Sequence, residues 1–447
     1  MTLSTWCPRI LFSSVMAILC GSVMLSPAHA ADVQVNCPGG GPGAFPSIGT
    51  ALNTLNPNDA NTITVSGSCV ENIFFTNFER LKIQSAFGQT ATITAADPSG
   101  IVIHMFQSTG IVLTNLVIQG GSVGILLNQG SNATIINCTI KGNSGDGLDM
   151  QMASTLVMEN STIQNNQGSG MSVGVGSNAT MATTPNQRIR ILQNGNDGID
   201  VDGSNFQVNF GTLDVENNGG AAIFQTGGRM VIFGGGSVNG GNLFQGNGEG
   251  IDIFNAASAQ FFGRNVISAN GDVGLQILAS SVAINGRGTL PDGSTNSTII
   301  QNHNIVGINI VRMGELSMGG THQIQNNGSL VADPTLRGGI RVARSSLTLV
   351  NGVQISNNTG PGIRADQNTS TSVTNVTLSG NTEEGVHVDR QSVAGFFQPL
   401  SIVGNGTASI SCDSTSLIFG DLTGVAGINC TRIERSAGPP RPGRVQP

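Results

Sequence analysis

Apolar and polar residues follow a short phrase that recurs along the chain. The phrase is clearest at 358–366 (Asn-Thr-Gly-Pro-Gly-Ile-Arg-Ala-Asp) and at 381–389 (Asn-Thr-Glu-Glu-Gly-Val-His-Val-Asp), two copies that lie 23 residues apart. Each copy has an Asn, three further residues, a Gly, an aliphatic residue, a polar residue, a small apolar residue and an Asp. Recurrence at a fixed period indicates a repeat architecture in which each unit packs against its neighbours.

The glycine of the phrase marks successive repeats from about residue 100 onward. Its positions are Gly100, Gly124, Gly147, Gly170, Gly198, Gly250, Gly274, Gly307, Gly339, Gly362 and Gly385, with Ala222 in the same place between 198 and 250. Most intervals are 23 or 24 residues. The longer intervals predict loop insertions, which are rich in turn-forming residues and lie at 177–186, 234–242, 287–296 and 329–337.

Each unit holds up to three short runs in which apolar and polar residues alternate. One unit contains them at 155–158, 161–164 and 171–173. These runs are too short for stable helices, and no two-residue Asn-Gly turn joins neighbouring runs into a hairpin. Strands that pair with the equivalent strands of the next unit predict an all-β solenoid, a right-handed parallel β-helix of about 12–14 coils with an apolar interior.

An Asn precedes the phrase glycine by four residues in six of the repeats. These residues are Asn143, Asn166, Asn194, Asn270, Asn358 and Asn381. Asn tolerates the left-handed backbone conformation at a bend, and stacked amides can hydrogen-bond from one unit to the next. The pattern therefore predicts a structural amide ladder.

Three copies of the phrase carry a resemblance to a known fold family. Gly-Ile-Asp-Val at 198–201, Gly-Ile-Asp-Ile at 250–253 and Gly-Val-His-Val at 385–388 resemble the repeats of right-handed parallel β-helix proteins with the pectate-lyase-like fold. The resemblance covers roughly residues 60–430. It implies a β-helix over 61–435. The superfamily includes polysaccharide lyases, glycoside hydrolases, esterases, epimerases and tailspikes, so the resemblance does not imply one activity.

The two ends of the chain differ from the repeats. Residues 1–30 have Arg9, an apolar run and Ala28-His29-Ala30, which predict a secretory signal cleaved after Ala30 and a secreted or periplasmic protein. No other stretch is apolar enough to span a bilayer. Residues 31–60 predict a cap that contains a short amphipathic helix, and the Pro-rich tail at 436–447 is expected to be disordered.

Five cysteines follow the predicted signal, and export permits disulfides. Cys412 and Cys430 hold matching positions in adjacent repeats, and neighbouring strands about 4.8 Å apart suit a disulfide. A second bond is expected between Cys37 and Cys69. Cys138 is expected to be a buried apolar residue.

Composition argues against nucleic-acid binding and makes a sugar-processing cleft less favoured. The net charge of −7 provides no basic face for nucleic acid. The chain has no Tyr, and Trp6, its one Trp, lies in the predicted signal, so the rings that commonly stack on sugars are missing. This absence favours a structural, adhesive or glycan-contacting surface over a sugar-processing cleft.

The residue that follows the Gly-aliphatic pair should point outward on one face of the solenoid. In order, these residues are Val102, Leu126, Asp149, Ser172, Asp200, Phe224, Asp252, Gln276, Asn309, Arg341, Arg364, His387, Ser411 and Asn429. Two residues further along, the same face should show Gln151, Asp202, Phe254, Asp366 and Asp389. Two clusters stand out on this face.

The first cluster is acidic and consists of Asp149, Asp200, Asp202 and Asp252. Asp200 and Asp202 would lie about 7 Å apart on one strand, a separation compatible with an inverting carboxylate pair. The motifs of the hydrolase branch (Asp-Asp, Asn-Thr-Asp, Arg-Ile-Lys) are absent. Calcium binding by these oxygens and a solvated acidic face are the other two interpretations.

The second cluster is mixed and consists of Arg341, Arg364 and His387, flanked by Asp366 and Asp389. A lyase that acts on an acidic polysaccharide needs positive charge at the uronate carboxylate and a base near C5. Arg364 and His387 could fill these roles, with Asp389 orienting the imidazole. Alternatively, Arg364 with Asp366 and His387 with Asp389 form a surface salt-bridge ladder.

Two functions therefore remain open. The first is an exported surface that contacts a cell-surface glycan or serves a structural or adhesive role. The second is a carbohydrate-active enzyme, namely a polysaccharide lyase or hydrolase that acts on an acidic polysaccharide.

Overall fold

The structure is a computed structural model that describes residues 30–182, 187–234, 241–286, 296–330, 333 and 335–435. The predicted signal segment before Ala30, the predicted tail at 436–447 and part of each of the four predicted insertions lie outside this range.

The described chain is a right-handed parallel β-helix, which confirms the predicted fold class. All pairings between its described strands are parallel, and they form two sheets. The 15-stranded sheet contains Ile73–Thr76, Ile101–Phe106, Val123–Asn128, Leu148–Met150, Met171–Gly174, Ile199–Asp202, Ala221–Thr226, Glu249–Phe254, Val273–Leu278, Val306–Val311, Gly338–Ala343, Ile363–Asp366, Val386–Val388, Ile410–Cys412 and Ile428–Asn429.

The remaining strands form a 28-stranded sheet in the described part of the chain. It contains Ala31–Cys37, Ala44–Phe45, Asn61–Val70, Leu81–Ser85, Ala91–Thr94, Ile111–Thr114, Leu116–Gln119, Asn132–Ile136, Thr139–Lys141, Thr155–Glu159, Thr162–Gln164, Asn178–Ala182, Arg188–Leu192, Asn205–Glu216, Arg229–Gly234, Asn242–Gln245, Ser258–Gly263, Asn265–Ser268, Ser281–Gly286, Thr298–Gln301, Glu315–Gly320, Gln323–Gln325, Ser346–Val350, Gln354–Ser356, Ser370–Ser379, Val393–Val403, Leu417–Gly420 and Ile433–Arg435.

The core follows from alternation along these short strands. In Leu81–Ser85, for example, Leu81 and Ile83 are fully buried and the residues between them are not. Equivalent positions on successive rungs (one coil of the solenoid each) lie about 4.8 Å apart, so the buried side chains stack into a single apolar cluster that runs from Val35 to Leu422. Each fully buried aliphatic side chain contributes roughly 1.5–3 kcal/mol.

The predicted amide ladder is present at one corner. Asn143 donates from Nδ2 to Oδ1 of Asn166 at 2.8 Å, and its backbone N–H donates to the same oxygen at 3.1 Å. The same pattern joins Asn166, Asn194, Asn218, Asn247 and Asn270, and again Asn327, Asn358, Asn381 and Asn405. Asn218, Asn247, Asn327 and Asn405 escape the sequence pattern because no phrase glycine stands four residues after them.

Both predicted disulfides are present, one toward each end of the solenoid. Cys37 is bonded to Cys69 and Cys412 to Cys430, while Cys138 is buried and reduced. The short helix Ile48–Leu52 buries its apolar face over the first rungs, and the side chain of Ser47 caps its N-terminus.

The β-structure extends further toward the N-terminus than the repeat phrase does. Strand Ala31–Cys37 already pairs with Asn61–Val70, inside the segment 31–60 that the sequence predicts as a cap. Among the described residues, no helix is both long and apolar enough to cross a membrane.

One predicted outward position is wrong. Ile101 pairs with Val123 and Ile103 with Ile125, so Val102 aligns with Gly124 and is fully buried. His104 takes the outward position on this rung instead. Gly100 resembles the phrase glycine but lies two residues too early in the register.

A histidine interrupts the amide ladder between Asn270 and Asn327. The backbone N–H of His303 donates to Oδ1 of Asn327 at 3.1 Å, and its Nε2 lies 3.1 Å from the carbonyl oxygen of Ile267. Its buried Nδ1 has no hydrogen-bond partner. Burial lowers the pKa of His303 to about 4.

This lowered pKa predicts a loss of stability in acid that His303→Asn should reduce. The unfolded chain takes up the proton below about pH 6.5, whereas the folded chain resists until about pH 4, so the folded state is destabilised as pH falls between these values. We expect the variant to lose roughly 2 kcal/mol less than the wild type between about pH 7 and about pH 4.5 in denaturant unfolding, because Asn fits the ladder and does not titrate. Ser172→Asn, a change on the outer face that removes no titrating group, is the control. Equal acid sensitivity of wild type and His303→Asn would contradict the assignment.

Candidate functional site

The outward residues of the 15-stranded sheet form one continuous column, which we call the outer column. Strand register aligns Phe74, His104, Leu126, Asp149, Ser172, Asp200, Phe224, Asp252, Gln276, Asn309, Arg341, Arg364, His387, Ser411 and Asn429 on successive rungs. The column is acidic from Asp149 to Asp252, carries amides at Gln276 and Asn309, and becomes cationic at Arg341.

The predicted acidic residues do not converge on one point. Asp149, Asp200 and Asp252 lie on alternate rungs with Ser172 and Phe224 between them, so neighbouring members are about 10 Å apart. Calcium ligands must lie about 2.3–2.6 Å from the ion. Of the described residues, only Cys37, Cys69 and Glu71 bring three potential ligand atoms together, and two of these are joined by a disulfide. Asp149, Asp200, Asp202 and Asp252 therefore cannot share a single ion.

Sequence reasoning missed three further carboxylates beside the acidic cluster. Asp146, Asp197 and Glu249 each stand directly before the glycine position of the phrase, a regularity that the sequence itself displays. Oδ1 of Asp146 accepts the backbone N–H of Ser169 at 2.7 Å, and burial raises the pKa of both Asp146 and Asp197.

Crowding of like charges changes the titration of Asp200. Burial is the largest cause and the nearby carboxylates of Asp197, Asp202 and Asp146 add to it, which together raise the pKa of Asp200 to about 6. Asp202 is exposed and accepts a hydrogen bond from Thr226 at 2.8 Å. A carboxyl with a raised pKa is one requirement of an acid–base pair.

Asp252 is the most deeply buried acid on the face. Only 3% of its surface is exposed, its Oδ1 has no hydrogen-bond partner, and the rings of Phe224 and Phe254 pack against each other at 5.4 Å on the same strands. Burial and a hydrogen bond with Glu249 raise the pKa of Asp252 far above its usual range. With a pKa of about 9, Asp252 keeps its proton at neutral pH.

Arg341 opens the cationic part of the outer column. Its Nη1 donates to Oδ1 of Asn309 at 3.0 Å, and Asn309 in turn donates to Oε1 of Gln276 at 2.8 Å. Within the described part of the chain, no carboxylate lies within 4 Å of the Arg341 guanidinium, and its buried Nε has no hydrogen-bond partner. Arg341 is thus a half-buried cation held in place by neutral amides.

Arg364 and Asp366 do not pair as the predicted salt-bridge ladder requires. Nη2 of Arg364 lies 3.7 Å from Oε2 of Glu383, and Glu383 also accepts a hydrogen bond from Arg337 at 2.6 Å. Asp366 lies 3.5 Å from Nη1 of Arg390 on the next rung. Position explains the difference, because Asp366 lies at the end of its strand, beside the corner that carries Arg390.

His387 sits between two carboxylates and a hydroxyl. Its Nε2 lies 3.2 Å from Oδ2 of Asp389, the contact that the sequence predicted, and its Nδ1 lies 2.9 Å from Oγ of Ser411. Oε1 of Glu384, which the sequence analysis missed, lies 3.7 Å from Nδ1. The Glu384 carboxylate is the largest cause of a raised pKa at His387, and contact with His387 lowers the pKa of Glu384 to about 2.

Two adjoining cavities open where the face changes sign. One of about 240 Å³ is lined by Glu249, Asp272 and Arg341 among others. The second, of about 310 Å³, is lined by Arg312, Arg341 and Arg344 and by no carboxylate. Gln276, Asn309 and Arg341 line both, so the two form one groove along the outer column, with apolar residues such as Val306 and Leu336 in its lining.

Comparison with known proteins bears on the fold. The model of the family described as "Right handed beta helix region" matches residues 53–232. No curated protein sequence matches the chain.

Solved structures of two kinds of protein resemble the chain at low identity. Pectate lyase Pel9A shares 13% identity at a TM-score of 0.35, over 68% of this chain and 82% of that protein. The A-module of the Azotobacter vinelandii mannuronan C-5 epimerase AlgE6 shares 14% at 0.39, over 85% and 91%.

Parallel pairing on successive rungs, the stacked apolar core and the amide ladder agree with the matched repeat model. The chain is a right-handed parallel β-helix, and its residues 53–232 match the right-handed β-helix family model.

Proposed function

We propose that the outer face of the 15-stranded sheet binds an acidic polysaccharide and that Arg341, Arg364, His387, Asp366 and Asp389 cleave it by β-elimination. The observation that carries this proposal is the state of Arg341. Its guanidinium is half-buried in the groove and, among the described residues, has no carboxylate partner.

The groove suits an anionic sugar better than a neutral one. Burying a charge without an opposite charge is costly, and an incoming carboxylate would relieve that cost at Arg341. Guanidinium groups bind carboxylates through two parallel hydrogen bonds. Arg364 lies one rung, about 4.8 Å, from Arg341, so two such groups face the same stretch of polymer.

The neighbouring histidine supplies proton transfer. In β-elimination a base removes the proton on C5, next to the uronate carboxylate. Those electrons form the C4–C5 double bond as the bond from C4 to the linkage oxygen breaks, and that oxygen takes a proton from water. Positive charge at the carboxylate stabilises the intermediate as negative charge moves onto it. His387 is the base in this proposal, and the Asp389 carboxylate at Nε2 and Ser411 at Nδ1 fix its ring orientation.

The second candidate is a glycan-contacting surface without catalysis. The same groove would hold the polymer, and the acidic part of the outer column would confine the anion to the cationic part. This candidate is favoured by the salt bridges that already occupy Arg364 and His387. The two candidates share a binding site and differ in turnover, so product analysis separates them.

A degradation assay over acidic and neutral polysaccharides, with and without calcium, tests the proposal. We expect unsaturated products from an acidic polymer, a loss of roughly 100-fold or more in kcat for His387→Ala, and an increase in KM of about tenfold for Arg341→Gln. His104→Ala is the control, because it changes a histidine of the same outer column far from the cluster. Reducing ends without unsaturation would indicate hydrolysis instead. Tight binding with no product from any acidic polymer would refute the lyase and support the glycan-contacting surface without catalysis.

The pH dependence of turnover gives an independent check. A base must be neutral to accept a proton, so kcat/KM should rise as pH passes upward through the pKa of His387, which lies above the usual value of about 6.5. Glu384 is the largest cause of that elevation, so Glu384→Gln should move the rise in kcat/KM to lower pH. Asp421→Asn, a change near the C-terminal end of the solenoid, should leave the profile unchanged. A profile that Glu384→Gln does not move would rule out His387 as the base.

A further inference from the structure

A second row of cationic side chains runs beside the outer column, at the corner where each strand of the 15-stranded sheet ends. We infer that this corner row, formed by Arg312, Arg344 and Arg390 with Gln367 among them, binds an anionic substituent of the polysaccharide, such as a sulfate ester or a carboxylate carried outside the sugar backbone. The inference rests on the proposed function for the identity of the polymer.

Backbone hydrogen bonds place the four residues on successive rungs. The N–H of Arg312 donates to the carbonyl that precedes Arg344, and the N–H of Arg344 donates to the carbonyls of Asp366 and Gln367. The N–H of Asn368 donates to the carbonyl of Arg390, which aligns Gln367 with Arg390. The corner row therefore advances about 4.8 Å per residue, parallel to the outer column.

The backbone turn at this corner fixes where each side chain of the row begins. Arg312, Arg344 and Arg390 have φ values of 54°, 52° and 53°. Met152, Val175 and Ala279 adopt φ of 53°, 50° and 50° at the same corner of other rungs, so the left-handed turn belongs to the fold. The turn therefore gives the three arginines a common position on successive rungs.

The charges of the row are only partly balanced. Among the described side chains, no carboxylate lies within 4 Å of Arg312 or Arg344. Arg344 donates from Nε to Oε1 of Gln367 at 2.8 Å, a neutral partner that leaves its charge uncompensated. Arg390 lies 3.5 Å from Asp366. The backbone N–H of Arg390 also donates to Oδ2 of Asp413 at 2.9 Å. Both carboxylates therefore lie at the Arg390 end of the row, and the uncompensated positive charge lies at Arg312 and Arg344.

Two cavities connect the corner row to the proposed site. The cavity of about 310 Å³ is lined by both Arg341 of the outer column and Arg312 and Arg344 of the corner row. A further cavity of about 510 Å³ continues along Arg344 and Arg390. A polymer that reaches Arg341 would thus present groups beside its backbone to the corner row.

The chemistry of the lining favours a hydroxylated, charged ligand. The larger cavity is lined by Arg344, Gln367, Asn368, Arg390, Asp413 and Thr415, together with one more amide, and by no apolar residue. Guanidinium groups bind the oxygens of a sulfate or carboxylate with good geometry, and amides bind the hydroxyls of a sugar.

Binding of three matched uronate oligosaccharides tests the inference: one unsubstituted, one with sulfate esters and one with added carboxylates. Titration calorimetry on the full chain carrying His387→Ala avoids turnover. We expect at least one charged ligand to bind about tenfold more tightly than the unsubstituted one. This preference should vanish with Arg312→Gln and Arg344→Gln combined, and should weaken as salt is added. Which charged ligand is preferred identifies the substituent.

The variants are matched to the fold. Gln367 already adopts φ of 60° at the same corner, so Arg→Gln changes keep a residue type that this conformation accepts. Arg229→Gln, an exposed change on the 28-stranded sheet, should leave all affinities unchanged. Thermal unfolding equal to that of the parent shows that the variants are folded.

Three results would overturn the inference: equal affinity for all three ligands, a preference that survives the double variant, or an acidic peptide of the same charge that binds as tightly as the charged oligosaccharide. The proposed function fails separately. If Arg341→Gln abolishes binding of the unsubstituted ligand but the wild type produces no unsaturated ends, catalysis is refuted while the corner row stands. If the wild type cleaves the unsubstituted polymer and no ligand shows a preference, only the corner row is refuted.

Discussion

The buried amide ladder is the interaction on which the arrangement of this solenoid depends. A buried amide without a partner costs about 1–3 kcal/mol, so each ladder Asn requires the Asn of the next rung at hydrogen-bonding distance. Asn143 and Asn166 meet this requirement through both side chain and backbone. The ladder therefore fixes the register between rungs, and with it the alignment of every outward side chain.

That fixed register explains the electrostatics of the face. Side chains on a rigid column cannot move apart to relieve repulsion, so neighbouring charges change one another's titration. The raised pKa of Asp200 arises in this way, after burial, from three nearby carboxylates. Around His387 the same rigidity places unlike charges together. The carboxylates of Glu384 and Asp389 lie on either side of the imidazole ring, and they favour its protonated form. One scaffold thus produces two parts of the same outer column: an acidic part in which carboxyl groups have raised pKa values, and a cationic part.

The sequence predicts the scaffold well because period-2 runs, corner Asn residues and phrase glycines all report local backbone geometry. It fails where a residue imitates the pattern, as Gly100 does two residues out of register, and where ladder members such as Asn327 lie beside an insertion. The site was predicted as positions rather than as contacts. Arg364 forms an ion pair with Glu383 instead of Asp366. Neighbouring rungs and corners determine where the end of a long side chain lies, and the repeat pattern does not contain this information.

His303 has a consequence for the cooperativity of the molecule. Repeat arrays are stabilised by couplings between nearest neighbours, so a junction with weaker coupling divides them into separate folding units. Amide-to-amide bonds run from Asn143 to Asn270 and from Asn327 to Asn405, and in the described chain the histidine stands between them without such a bond. The junction falls between the acidic and cationic parts of the outer column. Coupling between the two parts across this rung therefore depends on the parallel strands and the apolar core, which continue through it without a break.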